Sequence, residues 1–270
     1  MDRTYLDRLA IRTNTIRDHG STVLQALPSS HAAVQELYTY LTTIYLPTRF
    51  PSIYSLAPTY LLNKATHRHI LLNPSSPLQA LHNLGTNIDT DFLLLVPSPD
   101  GDGYCLGAFI VCFPHGFNPQ ALLGQKIRDI HKPVPKYKEK LETGMYRSFD
   151  RLEVGKLVKR VNWSITTDAR LFAASGNHLD EGEEAEAEDF DIHDTHLRCE
   201  RQLLHRLPQT KALVFSVKTY LTPLTQVKEE GLGEELAEAI DGLRKGSVPE
   251  VHDYKRGVVW GEKVKAYLRS

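Results

Sequence analysis

The side chains best suited to chemistry lie between Leu157 and Leu221, in three segments rich in Val, Ile, Phe, Tyr and Thr, a composition typical of β-strands. Successive side chains of a strand point to opposite faces of its sheet. The polar side chains that this alternation groups together are those of Arg160, Asn162, Ser164, Arg198, Glu200 and Gln202. Arg201 is the charged exception in the other, mainly apolar set. Since charged groups are rarely buried without a partner, the pattern predicts either a polar pocket or a solvent-exposed face.

Glu200 is the most informative of these residues, because it lies between Arg198 and Gln202 on the second of the three predicted strands. A carboxylate in that position must be paired, protonated or used in chemistry. If it faces a partly apolar cavity, it is suited to binding an ammonium group or to relaying a proton. Glu200 is therefore the candidate catalytic residue.

His131 is the candidate metal ligand. It closes a predicted helix and is followed by Pro133 and Pro135 in the segment IHKPVPKY, so a rigid turn fixes the direction of the imidazole ring. A histidine at a helix end beside an apolar cavity is a suitable axial ligand for haem iron. The alternative is a histidine that only caps the helix or packs against its neighbours.

Other histidines provide alternatives. His193 and His196, with Glu200 further along the chain, have the residue types of an iron site made of two histidines and one carboxylate, but the set crosses a predicted boundary between loop and strand. His193, His196 and His205 are also the alternatives to His131 as an axial ligand. All three lie near the second predicted strand.

The order of the predicted elements indicates an α+β fold. Two apolar runs around the turn PSPDGDG predict a hairpin, and a block of helices follows before the three strands described above. This order is not a βαβ alternation, so a parallel doubly wound sheet is not expected. Five antiparallel strands with a helical insert after the second match a PAS-like domain, with its core at about residues 90–225. Helices at both ends would wrap this sheet, in a single domain spanning residues 1–270.

Capping residues predict where several helices begin. Asn118 followed by Pro119 predicts the start of one helix through FNPQALLGQKIRDIH. The segment KYKEKLETGMYRSFDRLEVG predicts a second helix of the insert. Ser76 is the predicted start of an earlier helix in SSPLQALHNLG.

An acidic run, DEGEEAEAEDFD at residues 180–191, separates the first two of the three strands. Its charge density opposes burial, which predicts a flexible, solvated loop that is dispensable for folding. The alternative is a docking patch for a basic partner.

Composition excludes several classes of function. Hydrophobic residues make up 41% of the chain, enough for a core, and the formal net charge of -1 gives no field that attracts nucleic acid. No apolar run is long enough for a membrane segment, and the charged start does not have the pattern of a secretory peptide. Three cysteines without a CxxC pair favour reduced thiols in a cytoplasmic compartment. The loop GDGYCLG lacks the third glycine of a dinucleotide site, so the chain is not expected to carry its own flavin–nicotinamide module.

Four segments taken together resemble a known family. The segments IHKPVPKY, KRVNWSI, LRCERQLLHRLP and VFSVKTYLTPL, in this order and spacing, are similar to those of the haem-dependent oxidative N-demethylase-like family, whose fungal members are called HRQ family proteins. The resemblance extends to YLPTRFP near residue 50 and to the C-terminal tail, and so covers nearly the whole chain. It implies a PAS-like domain that binds haem b, and oxygen-dependent removal of a methyl group from a small amine. Electrons would come from a separate flavin and ferredoxin-type reductase.

The resemblance also implies roles for individual residues. His131 matches the histidine of the family's HxPVP motif and would be the axial ligand. Glu200, Arg201 and Gln202 match the family's ERQ and would be catalytic. The residues expected to bind the cofactor are Arg160, Asn162, Trp163, Arg198, Lys218 and Tyr220. Lys218 stands where many members have arginine, and it lacks the guanidinium fork that binds carboxylates through two hydrogen bonds.

Two other classes of function remain open at this point. The first is a haem protein without catalysis, such as a sensor or carrier, because a fold does not determine function. The second is a scaffold that binds no haem and fills the pocket with side chains. The expected partners of the enzyme are dioxygen, a small amine and a redox protein, with no nucleic acid and no membrane segment.

Overall fold

The computed structural model describes residues 2–179, 182–183, 185 and 189–270. The strands in these residues are β1 (Leu24–Ala26), β2 (Tyr54–Leu56), β3 (Tyr60–Asn63), β4 (Arg68–Leu71), β5 (Asp91–Pro97), β6 (Tyr104–Ile110), β7 (Leu157–Thr166), β8 (His196–Arg206) and β9 (Leu213–Pro223). The α-helices are α1 (Tyr5–His19), α2 (His31–Thr39), α3 (Leu46–Arg49), α4 (Pro77–Asn87), α5 (Pro119–Leu122), α6 (Ile127–Ile130), α7 (Thr143–Arg151), α8 (Leu224–Glu229), α9 (Gly233–Lys245), α10 (Val251–Tyr254) and α11 (Gly257–Arg269). Two π-helical segments, Tyr40–Tyr45 and Tyr137–Glu142, and three short 3-10 helices, Gly20–Thr22, Pro28–Ser30 and Ile192–Asp194, complete the helical structure of these residues.

The main sheet is antiparallel and has six strands in the order β1-β6-β5-β9-β8-β7. The five predicted strands are present as β5 to β9, with the helical insert after the second of them, as expected. The prediction of five strands missed β1, which pairs with β6 through Leu24–Ala26 at the edge of the sheet. A run of only three residues is too short to show the alternation of a strand, so the sequence does not indicate it and only its pairing with β6 identifies it. A separate sheet has the order β2-β3-β4.

The hairpin of β5 and β6 forms the centre of the fold. Every residue of β6 is buried, as expected for a strand that is covered on both faces. Its connecting turn contains Gly101 and Gly103 with φ values of 75° and 77°, in the left-handed region that favours glycine. The turn residues Asp100 and Asp102 both pair with Lys126 from the insert.

The insert departs from the prediction of one helix after Asn118. Asn118 does cap α5, since its side chain accepts a hydrogen bond from the backbone of Gln120 at 3.0 Å. The helix ends at Leu122, and the chain turns at Gly124, whose φ is 82°, to run beside β6. Leu106 bonds there to Gln125 at 3.0 Å and to Gly124 at 2.8 Å. The helix is therefore divided into α5 and α6, because pairing with the sheet replaces the helical hydrogen bonds.

Two cores lie on opposite faces of the main sheet. We call the face that packs against α6 and α7 the insert face; its buried residues include Phe109 and Leu213. We call the other face, which packs against α2 and α4, the N-terminal face; it includes Leu94 and Val214. A third cluster surrounds Trp260 where the C-terminal helices pack. The N-terminal and C-terminal helices among them are the wrapping helices that the sequence predicted at both ends of the chain.

Part of the predicted acidic loop lies outside the described residues, namely positions 180, 181, 184 and 186–188. The prediction that this loop is flexible and dispensable therefore stays a prediction. Among the helices in the described residues, none has the length and apolar character needed to cross a membrane.

Candidate functional site

The strand register divides the predicted site residues between the two faces of the sheet. On β7 and β8, Arg160 is paired with Gln202 and Asn162 with Glu200, so these four residues share the insert face with Arg198. The predicted residues on the opposite face are Trp163, Arg201, Lys218 and Tyr220. The prediction that the polar residues of the two strands lie together is confirmed for the first set. The sequence reading treated the second set as part of the same site, and the structure separates them from it by the thickness of the sheet.

A chain of hydrogen bonds connects the polar residues of the insert face. Arg160 donates through Nε to Oε1 of Gln202, and Gln202 donates through Nε2 to Oε2 of Glu200 at 3.0 Å. The other carboxylate oxygen, Oε1, lies 3.2 Å from Nε of Arg198. Glu200 thus accepts hydrogen bonds on both oxygens, and its orientation is fixed from two sides.

Arg198 holds Glu200 from inside the protein. Its side chain is fully buried, and its two terminal nitrogens donate to the carbonyl oxygens of Phe113 at 2.7 Å and Leu171 at 3.3 Å. Burial lowers the pKa of Arg198, and the charge of Glu200 opposes that shift. With these contacts made, Arg198 positions Glu200. Its predicted contact with a cofactor stays a prediction.

His131 has the hydrogen bonding expected of a metal ligand. Its Nδ1 lies 2.8 Å from the carbonyl oxygen of Ile127, and its ring stacks on Tyr137 with 5.0 Å between centroids. A carbonyl oxygen can only accept, so Nδ1 carries the proton and Nε2 of the neutral ring has a free lone pair. Burial lowers the pKa of His131, the Ile127 carbonyl opposes this, and the charge of Arg160 adds to the lowering. Within the described residues, Nε2 has no hydrogen-bond partner.

Two buried hydroxyl groups near these residues have no partner in the part of the chain that the structure describes. One is the hydroxyl of Tyr137, which stacks on His131, and burial raises its pKa to about 12. The other is Oγ1 of Thr219, which is paired in register with Glu200. Buried polar groups without partners are uncommon in folded proteins and call for an explanation such as a missing ligand or water.

His115, Asn177 and His178, which the sequence analysis did not identify, extend this polar region. His115 lies 2.8 Å from Oγ of Ser164 through Nε2 and 2.6 Å from the side-chain amide of Asn177 through Nδ1. Burial lowers the pKa of His115 to about 2 and that of His178, whose ring lies 5.4 Å away, to about 4. His115 and His178 lie in irregular segments far apart in the chain, so no spacing in the sequence indicated them.

The edge strand β7 also contacts the C-terminal region. Lys255 donates to Oδ1 of Asn162 at 3.1 Å and lies 5.3 Å above the ring of Trp163. These two predicted cofactor residues thus meet the same cation from opposite sides of the strand. Direct contact between either of them and a cofactor stays a prediction.

The opposite face carries a cleft of about 660 Å³ between the N-terminal helices and the sheet. Its lining includes Arg201, Lys218 and Tyr220, together with Arg49 and His205. The sequence segment YLPTRFP supplies Tyr45, Leu46, Arg49 and Phe50 to the same cleft. Residues that the resemblance brought together therefore line this cleft as well as the insert face.

The iron site considered for His193 and His196 does not form in the described residues, which hold no group of three or more metal-ligating side chains. His196 bonds through Nδ1 to the carbonyl of Asp194 at 2.7 Å, and the ring of His193 packs edge-on against Tyr267. His193 lies within the short 3-10 helix Ile192–Asp194, and His196 is the first residue of β8.

A family model decides the classification. The model of the family described as haem-dependent oxidative N-demethylase, alpha subunit-like, matches residues 1–265. The chain belongs to this family. For a member of a haem-dependent family, a bound cofactor would explain the free Nε2 of His131. It would also explain why the hydroxyl groups of Tyr137 and Thr219 have no partner. The donor set on the insert face therefore fits a haem, since neutral imidazole is a suitable axial ligand.

Proposed function

We propose that this protein binds haem b on the insert face of a PAS-like sheet, with His131 as the axial ligand, and oxidises a small amine with dioxygen. One observation carries the proposal. In a chain of the haem-dependent family, Nδ1 of His131 is held by the Ile127 carbonyl while Nε2 is left free. Metal-ligating histidines typically donate their other ring N–H to such an acceptor.

The reaction balances with one external source of electrons. An N-methyl amine, one dioxygen, two electrons and two protons give the demethylated amine, formaldehyde and water. When bound, haem supplies the activation of dioxygen, and the protein supplies position, polarity and protons. The electrons would come from a separate flavin and ferredoxin-type reductase, since no dinucleotide-binding motif occurs in the chain.

Glu200 is the residue that would recognise the ammonium group of the substrate. Its carboxylate is oriented by Arg198 and Gln202, so little motion is needed to bind a cation. Gln202 and Arg160 extend the network from Glu200 towards the surface, because Arg160 is an exposed residue. An exposed guanidinium at that position is also suited to pair with a haem propionate.

A haem-binding sensor or carrier is the second candidate, and one observation favours it. Glu200 already has an ion-pair partner in Arg198, which reduces the attraction that it offers to a cationic substrate. A sensor needs the axial ligand and the pocket but no substrate carboxylate. For both candidates we propose a single domain and a cytoplasmic location.

Absorption spectroscopy followed by an assay of formaldehyde tests the proposal. The purified protein, titrated with haem, is expected to develop a Soret band at one haem per chain. With a surrogate reductase, dioxygen and a panel of methylamines, it should release formaldehyde in proportion to amine consumed. A haem-loaded protein that binds carbon monoxide reversibly yet oxidises no amine would favour the sensor. A protein that takes up no haem would contradict both candidates and leave the scaffold.

A further inference from the structure

The N-terminal face holds a cleft whose charge does not suit an amine. Its volume of about 660 Å³ is within the range of small-molecule sites, and its walls are mainly apolar. Its apolar lining includes Leu41, Leu46, Phe50, Phe92 and Leu203.

The acidic groups of the cleft are already neutralised. Asp89 lies 3.5 Å from Arg8 and 3.3 Å from Lys218, and Lys218 also lies 2.5 Å from Asp2. These two cations and two carboxylates balance one another. The hydrogen bond from Lys218 is the main cause that lowers the pKa of Asp2, so Asp2 stays ionised within this network.

Three cations of the cleft are left over. Arg49, Lys156 and Arg201 all line it, and within the described residues none of them forms an ion pair or a side-chain hydrogen bond with a carboxylate. Arg206 also lines the cleft without a carboxylate partner, but its N–H groups donate to backbone carbonyls and to the hydroxyl of Tyr104. Arg49 lies over the ring of Phe50 at 5.4 Å, which leaves its N–H groups available. The cleft therefore combines an apolar interior with an excess of positive charge, the reverse of what an ammonium substrate requires.

The wall of the cleft contains one further unused group. Nε2 of His205 is buried and has no hydrogen-bond partner among the described residues. Burial lowers the pKa of His205, so the ring is neutral and can exchange one hydrogen bond with a bound molecule. A buried polar atom without a partner is costly, and a ligand or a water molecule in the cleft would satisfy it.

From these observations we propose that the cleft binds a mainly apolar organic anion, whose carboxylate or similar group is held by Arg49 and Arg201. Guanidinium groups suit this role, because their planar N–H pairs match a carboxylate. The proposed occupant is a separate apolar carboxylate, because the haem of the proposed function lies on the other face of the sheet. Haem propionates offer the same chemistry, and a haem held by these two arginines would itself lie in the cleft. The inference does not depend on amine oxidation.

A matched pair of fluorescent probes tests the charge of the ligand. Pyrenebutyrate and pyrenebutanol share the same flat apolar ring, and only the first carries a carboxylate. Wild-type protein is expected to bind pyrenebutyrate about tenfold or more tightly than pyrenebutanol, as measured by fluorescence titration. In Arg49→Gln/Arg201→Gln this ratio should fall towards one, with the affinity for pyrenebutanol unchanged.

The control variant Arg17→Gln/Arg147→Gln removes two exposed arginines outside the cleft and should keep the wild-type ratio. A ratio near one in the wild-type protein, or one that both double variants lower equally, overturns the proposal. Thermal melting of each variant verifies that the fold is intact, and a ratio that persists in a folded Arg49→Gln/Arg201→Gln variant also overturns it.

Repeating the titration with haem-loaded protein distinguishes the two sources. If haem propionates occupy the cleft, haem abolishes pyrenebutyrate binding and the Arg49→Gln/Arg201→Gln variant retains haem less well, which overturns both the separate ligand and the placement of haem on the insert face. If the ligand is separate, both bind at once and haem retention is unchanged. A protein that takes up no haem and still shows the charge-dependent ratio contradicts the proposed function while supporting this inference.

Discussion

Arg198 and Glu200, two residues apart on strand β8, form an ion pair in which Nε of the arginine lies 3.2 Å from Oε1 of the carboxylate. The side chain of Arg198 is fully buried and that of Glu200 is 12% exposed, so the pair is largely removed from water. The sequence reading expected the natural partner of Glu200 to be the substrate cation. In the structure the carboxylate already has a cation of its own.

The first prediction concerns stability. Glu200→Gln leaves the buried charge of Arg198 without its counterion, which should lower the free energy of unfolding by about 3 kcal/mol. Denaturant titration of the haem-free protein measures the change. Glu238→Gln, at an exposed position of α9, serves as the matched control and should cost almost nothing. A loss equal to that of the control would mean that Arg198 does not depend on Glu200.

The second prediction concerns catalysis by the same residue. Folded, haem-loaded Glu200→Gln should keep its Soret band but lose amine binding and formaldehyde release, because the amide cannot neutralise an ammonium group. Activity is expressed per haem, so that the stability loss does not enter the comparison. If the variant demethylates as fast as the parent, Glu200 has no role in substrate recognition.

The third prediction assigns the axial ligand. His131→Ala should lose the Soret band or shift it, because the free Nε2 is removed from the insert face. His196→Ala, whose Nδ1 bonds to Asp194, and His205→Ala in the cleft are the matched controls and should keep the parent spectrum. A spectrum that only His205→Ala changes would place the iron in the cleft on the opposite face.

The fourth prediction uses the orphaned hydroxyl of Tyr137. Tyr137→Phe removes a buried donor without a partner while keeping the ring that stacks on His131. The haem-free variant should therefore gain about 1 kcal/mol in the free energy of unfolding. Tyr38→Phe is the control, since its hydroxyl donates to the carbonyl of Leu71 at 2.5 Å and its loss should destabilise the protein. Destabilisation by Tyr137→Phe would show that its hydroxyl is satisfied in solution.

The fifth prediction concerns pH. Burial lowers the pKa of His115 to about 2 and that of His178 to about 4, while both titrate near 6.5 when unfolded. Above pH 6.5 both histidines are neutral in the folded and in the unfolded chain. As the pH is lowered below 6.5, the unfolded chain takes up protons that the folded protein does not, so the free energy of unfolding decreases. At pH 5 each histidine should cost about 2 kcal/mol.

Two variants isolate this effect from the titration of carboxylates. His178→Gln should reduce the slope of unfolding free energy between pH 6.5 and pH 4.5, whereas His67→Gln, at an exposed turn, should leave it unchanged. Equal slopes for His178→Gln and the parent protein would show that His178 is protonated in the folded state at these pH values.

Local patterns in the sequence determined much of this protein. The alternation along β7 and β8 was sufficient to place Arg160 and Asn162 on one face, and Arg198, Glu200 and Gln202 on one face, because the period of two is a property of each strand alone. Capping by Asn118 and the glycine turn between β5 and β6 were equally local. Family membership was also readable, since its four motifs are short and contiguous in the chain.

Only the tertiary structure decided how these parts meet. The register that sets Arg160 opposite Gln202 depends on pairing between strands that are distant in sequence. The insert packs on one face and the N-terminal helices on the other, which covers the face of Glu200 with the insert and forms the cleft on the face of Arg201. Such packing sums many weak long-range contacts, whereas a sequence motif records only the side chains that are neighbours along the chain.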